Sequence, residues 1–525
     1  MIEATRTRSK QRFDRTDYAR GVEAFQAELG EEYYANLAGL KDDLSLTPIY
    51  ERHADLFARE AIDALRPLST GEGDDARAAR HLLAFATEGF LERETAVLTE
   101  QIETAETRAV VVWRRERLPY RALPNRIAEI ADRGERNALD ASYREAVEAI
   151  NPQREERLAR LHELAVELGH PDYLAMVTAS RGFDPGQLAV DMQLFLAESE
   201  TVYFAALRRF LALIEIEQGD ASIADLQHLI RGSGWDRWFD QRRMLPALTS
   251  TLAGLGIDLA AQSNVRLDLE LRLAKSPRAF CAPVRIPEDV RLVIQPRGGW
   301  ADYASLLHEA GHAEHFAHVD PELPAAFAWL GDNSVTEGYA ALLEFLFMEP
   351  EWLSEHLGMP EGDIAGFLDF AAFWRLYMLR RYTAKLLYEL RLHRGGDAAL
   401  NRAYYAGLLG MITGVRTPES SYLADVDDNL YAAQYLRSWL FEGSLSASLR
   451  QRHGAAWWRD AGAGETLRRA WSRGQEWNAQ DVVAHLGYDR LDWRPVLRQI
   501  RTRLIGEMSG YGGPNITTRA GTRKV

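Results

Sequence analysis

The chain has 525 residues, with 62 basic against 77 acidic side chains and a formal net charge of −15. Hydrophobic residues make up 46% and charged residues 26%, the balance expected of a soluble globular protein with a large core. The acidic excess argues against a nucleic-acid binder, the single cysteine, Cys281, excludes an intramolecular disulfide, and no apolar run is long enough for a membrane span.

Residues 1–10 are basic but lack an apolar stretch behind them, so no signal peptide is expected and the protein reads as cytoplasmic. From about Asp17 to Ile230 the pattern is helix after helix. Val22 to Leu40, Ile49 to Leu65, Ala79 to Gln101 and Glu155 to Leu168 all show helical spacing with charged opposite faces. Between Arg108 and Arg160, Pro119, Pro124 and Pro152 are expected to interrupt a charged stretch of packed helices. The pattern then changes. The runs 278–286 and 290–295 are short, rich in β-branched or aromatic residues and bounded by prolines, which predicts two strands.

Gly298 and Gly299 lead into Ser305-Leu-Leu-His-Glu-Ala-Gly-His-Ala-Glu-His315, the stretch that organises the functional reading. Positions i and i+4 of a helix share a face, so His308 and His312 can turn ring nitrogens toward one metal ion. Glu309, beside the first histidine, is placed to act as general base toward water. A catalytic zinc takes three protein ligands. The next predicted helix opens at Asp332, an N-cap residue, ends near Pro350 and carries Glu337, the candidate third ligand. The edge of the predicted hairpin offers a place for an extended peptide to pair its backbone. Cys281 within it reads as a small core residue.

Beyond Glu337 the chain returns to helices. Ile364 to Leu392 is long and apolar-periodic, and 421–439 contains tyrosines able to donate to a developing oxyanion. Residues 508–525 are small, polar and basic and read as a disordered tail.

Around the motif the chain resembles the M3 family of zinc metallopeptidases, the oligoendopeptidase F and thimet oligopeptidase group. The likeness rests on 308–315 with Glu337 at the family's spacing. It is supported by Lys275-Ser-Pro-Arg-Ala-Phe-Cys281, by Leu292-Val-Ile-Gln-Pro296, and by Leu486-Gly-Tyr-Asp489 with Trp493-Arg-Pro495. It covers about 270–505; the N-terminal half matches only in helical character. The resemblance implies a mostly α-helical, two-lobed fold with a deep central channel and a small hairpin or sheet beside the zinc helix. In that division 1–270 form an N-terminal helical lobe and 271–507 the catalytic lobe. It further implies one zinc ion held by His308, His312 and Glu337. Glu309 then activates water and passes the proton to the leaving amine, and Tyr431 and Tyr435 stabilise the transition state. Where the family commonly has a histidine and a further tyrosine, this chain has Val426 and Ser438, and Tyr422 is a candidate substitute. His315 matches a histidine common in the family and is expected to support the ligands, whereas His318 reads as a surface residue.

The expectation is a zinc-dependent oligopeptidase cutting internal bonds of short peptides. Its alternatives are a peptidyl-dipeptidase of similar fold, a peptide-binding protein with weakened catalysis, and a specialised non-peptide hydrolase.

Overall fold

The computed structural model describes residues 13–276, 278–395 and 398–505. The predicted tail at 508–525 lies outside them. The described chain is mostly α-helical, with two small sheets. Among the described residues no helix is long and apolar enough to cross a membrane.

The helices that matter for the site are, in chain order, α1 (Arg15–Leu37), α2 (Asp74–Arg108), α3 (Arg133–Glu167), α4 (Tyr173–Arg181), α5 (Pro185–Ala212), α6 (Trp300–Ala317), α7 (Asn333–Glu344), α8 (Glu361–Leu392) and α9 (Tyr431–His453). Several predicted helices are longer than the periodicity indicated. Charged residues at both ends of α2 and α3 fit helix geometry while contributing nothing to the apolar stripe. The predicted helix from Ile49 to Leu65 is instead broken: Thr47–Arg52, a 3₁₀ turn at Ala54–Phe57, then Arg59–Leu65.

Pro152 does not interrupt its helix. It sits inside α3, although a proline removes one ladder hydrogen bond. Nearby polar groups are met from the side: Arg154 donates to the Val147 carbonyl at 3.1 Å, and the Asn151 amide donates to the Ser420 carbonyl at 2.8 Å. Pro119 and Pro124 do mark boundaries. Pro119 ends a hairpin of β1 (Val110–Trp113) and β2 (Glu116–Pro119), and Pro124 lies in the first turn of a short helix, Leu123–Glu129.

The predicted hairpin is present as β4 (Phe280–Arg285) and β5 (Asp289–Val293), paired antiparallel. A third strand, β3 (Val265–Asp268), runs parallel to β5 on its other side, giving the order β3-β5-β4. Its sequence, Val-Arg-Leu-Asp, is too short and too charged to announce a strand. All five residues of β5 are buried, as expected of a central strand.

One continuous apolar core includes residues from Tyr18 to Ile500 and so draws on both halves of the sequence. Within it α5 lies along α8, where Phe210 and Phe373 stack at 4.8 Å. The motif helix α6 is wedged between the β4–β5 sheet and α7, and α7 in turn lies against α9. Two glycines permit these approaches. A Cβ on Gly311 would fall 2.6 Å from Ala340 Cα, and one on Gly338 would collide with the Phe441 ring at 2.1 Å. Asp332 fixes the start of α7. Its Oδ1 accepts from the Ser334 N–H, as the N-cap reading predicts, and its Oδ2 accepts from Arg437 on α9 at 2.8 Å.

Candidate metal centre

Three side chains predicted from the motif converge. The ligating atoms of His308, His312 and Glu337 all lie within 4.8 Å of one another. Glu337 Oε2 is 3.3 Å from His308 Nε2 and 3.8 Å from His312 Nε2. Zinc bonds of about 2.0–2.1 Å at tetrahedral angles separate ligand atoms by roughly 3.4 Å. The donor set therefore has the right chemistry and nearly the right spacing.

The far sides of the ligands are held. His308 Nδ1 is 2.9 Å from Glu344 Oε2, and His312 Nδ1 is 2.9 Å from Thr336 Oγ1. An ionised carboxylate only accepts, so Nδ1 of His308 carries a proton and Nε2 faces the site. Glu337 is 9% exposed, and its Oε2 is buried without a hydrogen-bond partner among the described residues. That oxygen lies 3.3 Å from His308 Nε2 and 3.8 Å from His312 Nε2, where a protonated His308 or a metal cation compensates its charge. Its Oε1 accepts from the Tyr431 hydroxyl at 3.0 Å.

Electrostatics follow from this crowding. Burial depresses His308, but the Glu337 and Glu344 carboxylates outweigh it and hold the imidazole well above its usual value. His312, with burial dominant, is pushed down to about 4. In the metal-free protein at neutral pH, His308 is thus protonated and must lose that proton to become a ligand. Zinc loading at pH 7 is expected to release about one proton per site. Calorimetric titration in buffers of different ionisation enthalpy measures this number, and a value of zero would show that His308 is already neutral in the metal-free protein. A second expectation concerns Glu344, which the motif did not indicate although it lies seven residues after Glu337 on the same helical face. Glu344→Gln should weaken zinc binding by about 10–100-fold with little change in fold; unchanged affinity in a chelator competition would show that Glu344 does not orient His308.

Glu309 lies beside the ligands rather than among them. The Cys281 N–H on edge strand β4 donates to Glu309 Oε2 at 2.8 Å, and burial raises the carboxyl to about 7 against the opposing His308 charge and this hydrogen bond. One outward N–H of the edge is therefore already committed to the general-base candidate. The Cys281 thiol is half-buried, and burial, with the Glu309 and Glu314 charges, pushes it well above its usual value. It stays protonated and takes no part in the ligand set.

Tyr431 and Tyr435 occupy the first turns of α9, their rings 5.0 Å apart. Tyr435 packs edge-on against Tyr382, and its hydroxyl has no hydrogen-bond partner among the described residues. Both phenols are pushed upward, by burial first and then by the Glu337 charge, so each remains a donor. The turn before α9 places Asn429 and Leu430 at φ 54° and 53°, a region that costs a leucine roughly 1–2 kcal/mol. The Tyr173 hydroxyl on α4 accepts the Asn429 N–H at 3.0 Å and holds that turn.

Other candidates stand apart from the ligands. The Tyr422 hydroxyl donates to Glu155, and its ring lies 4.4 Å beneath Arg402. His315 is fully buried, bonds the Gly474 carbonyl at 3.2 Å and packs on Tyr339, so it supports the helix–helix contact and hydrogen-bonds none of the ligands. His318 is partly exposed rather than fully so: it hydrogen-bonds the Glu314 carbonyl at 2.8 Å and packs on Trp471. Ser438 is buried and donates to the Tyr435 carbonyl at 2.8 Å.

Compared with models of known protein families and with curated proteins, the chain matches none.

Proposed function

We propose that this protein is a zinc-dependent oligopeptidase, a metalloendopeptidase of the M3 kind, hydrolysing internal bonds of short cytoplasmic peptides in a channel between two helical lobes. The observation that carries this reading is the convergence of His308 Nε2, His312 Nε2 and Glu337 Oε2, with the Glu309 carboxylate beside them. His308, His312 and Glu337 would hold the metal. Zinc, when bound, supplies Lewis acidity toward the scissile carbonyl and makes water a better nucleophile.

The chain's own residues do the rest. Glu309 accepts the proton of the attacking water and returns it to the leaving nitrogen, and a carboxyl raised to about 7 suits both halves of that shuttle. The Cys281 N–H keeps one of its oxygens fixed and leaves the other to the water. Tyr435 has a hydroxyl free to donate to the carbonyl oxygen as it gains charge, and Tyr431 can turn from Glu337 to do the same.

Mass-spectrometric mapping of products from a mixed peptide library tests the reading. Zinc-loaded wild type should cleave and Glu309→Gln should not, and product lengths separate internal cuts from release of C-terminal dipeptides. No cleavage by either protein with zinc stoichiometrically bound would overturn it.

A further inference from the structure

A cavity of about 380 Å³ lies between α2, α3, the end of α8 and the segment 423–428, and none of the candidate ligands lines it. Ile102, Leu158, Leu161, Leu423 and Val426 give it apolar walls. Its size and lining are those of a small-molecule site, apolar with a few polar groups to fix orientation. The wall at 423–428 leads into Tyr431 through the turn that Tyr173 holds, and the Tyr173 ring stacks on His393 at 4.4 Å.

Most charged groups around the cavity are already paired. Arg154 donates to Glu106 at 2.8 Å, Arg157 to both oxygens of Asp428, and Lys385 to Asp427 at 2.7 Å. Three polar groups of the lining are left over. Glu103 is exposed and makes no hydrogen bond or ion pair among the described residues. Arg121, its side chain 60% exposed, reaches only Glu106, at 3.5 Å, a carboxylate that Arg154 has already taken. His393 is the buried one, 4% exposed. Its Nδ1 is 3.0 Å from His162 Nε2, while its own Nε2 is buried without a hydrogen-bond partner among the described residues. Burial pushes His393 down to about 3 and lowers His162 as well, so both rings are neutral at pH 7. With His162 donating to His393 Nδ1, the one proton of the His393 ring sits on Nε2 as an unused donor. A buried ring nitrogen without a partner is uncommon, and this one borders open space.

We propose that the cavity binds a small zwitterion with an aliphatic side chain, a free amino acid or a dipeptide. The side chain lies against Leu158, Leu161 and Leu423, the carboxylate accepts from the His393 Nε2–H and faces Arg121, and the ammonium donates to Glu103. One leftover acid, one leftover cation and one neutral donor match a ligand that carries one charge of each sign. A simple anion would leave Glu103 unpaired, and a simple amine would leave Arg121 and His393 so. The proposal stands apart from the peptidase reading, because binding is measured without turnover. Where that reading holds, the ligand is of the kind that peptide hydrolysis releases.

The test is calorimetric titration of two full-length proteins, zinc-free wild type and zinc-loaded Glu309→Gln, which leaves peptides uncut on the peptidase reading. The probes are leucine and leucyl-leucine, each also as its C-terminal amide and its N-acetyl derivative. At least one of the two zwitterions is expected to bind at one site per chain in both proteins, and the tighter of them fixes the length of the ligand. Neutralising either of its charges should weaken binding by roughly 10–100-fold, the worth of a charge-assisted pair. Glu103→Gln, at an exposed position, should erase the discrimination against the N-acetyl form. Arg121→Gln, also exposed, and His393→Phe should each reduce the discrimination against the amide, with melting temperature followed for His393→Phe. Absence of saturable binding by either zwitterion overturns the proposal, as do equal affinities for the charged and neutralised forms. Binding that needs zinc, or that survives all three substitutions unchanged, places the ligand elsewhere and overturns it too.

Discussion

On the peptidase reading proposed above, replacing Glu309 by Gln is expected to slow peptide hydrolysis by about 10²–10⁴-fold while zinc stays bound. The amide is nearly isosteric and can still accept from the Cys281 N–H, which is 2.8 Å from the carboxylate oxygen it bonds. What it cannot do is hold a proton taken from water. The ligand atoms belong to other side chains, with His308 and His312 pinned by Glu344 and Thr336. Zinc content measured by mass spectrometry should therefore stay at one per chain. Turnover near the wild-type rate would mean that another group removes the proton. Loss of zinc along with activity would mean instead that Glu309 belongs to the coordination sphere.

Gly311→Ala is expected to damage stability and metal binding together. The added methyl would stand 2.6 Å from Ala340 Cα and 2.8 Å from the Tyr339 carbonyl oxygen, both main-chain atoms of α7 that no rotamer change can move. The two helices must separate, at a cost of about 3 kcal/mol, the upper part of the usual range for overpacking. The same movement carries His312 away from Glu337, whose nearest atoms are now 3.8 Å apart. Zinc affinity should fall by at least the 10–100-fold typical of a disturbed supporting shell. Denaturant unfolding of the metal-free protein reads the first effect and chelator competition the second. An alanine variant as stable as wild type, with unchanged zinc affinity, would show that α6 and α7 tolerate greater separation.

These two variants mark different levels of the molecule. His308, Glu309 and His312 were legible because their chemistry is written in helical spacing: i and i+4 share a face whatever surrounds them. Glu337 was legible as a glutamate on the following helix, opened by the cap at Asp332, and the structure brings it against both histidines. The mostly helical class and the β4–β5 hairpin were legible for the same reason, since local periodicity and bounding prolines report local structure.

The rest is decided over distances that periodicity does not reach. The third strand β3 exists because β5 offers a partner edge, not because Val-Arg-Leu-Asp prefers extension. Pro152 stays inside α3, where side chains from flanking positions meet neighbouring polar groups. His318, polar and near a helix end, reads as exposed, and only the packing of Trp471 on one side makes it half-buried. Glu344 and Thr336 acquire their roles only when α6 and α7 approach closely enough for the imidazoles to reach them, which the absence of a side chain at Gly311 permits. The sequence by itself singled out His308, Glu309, His312 and Glu337 as candidates, because residue type and helical pitch are local properties. The tertiary structure alone decided which of them meet and which are held in place, because that depends on the close approach of α6 and α7.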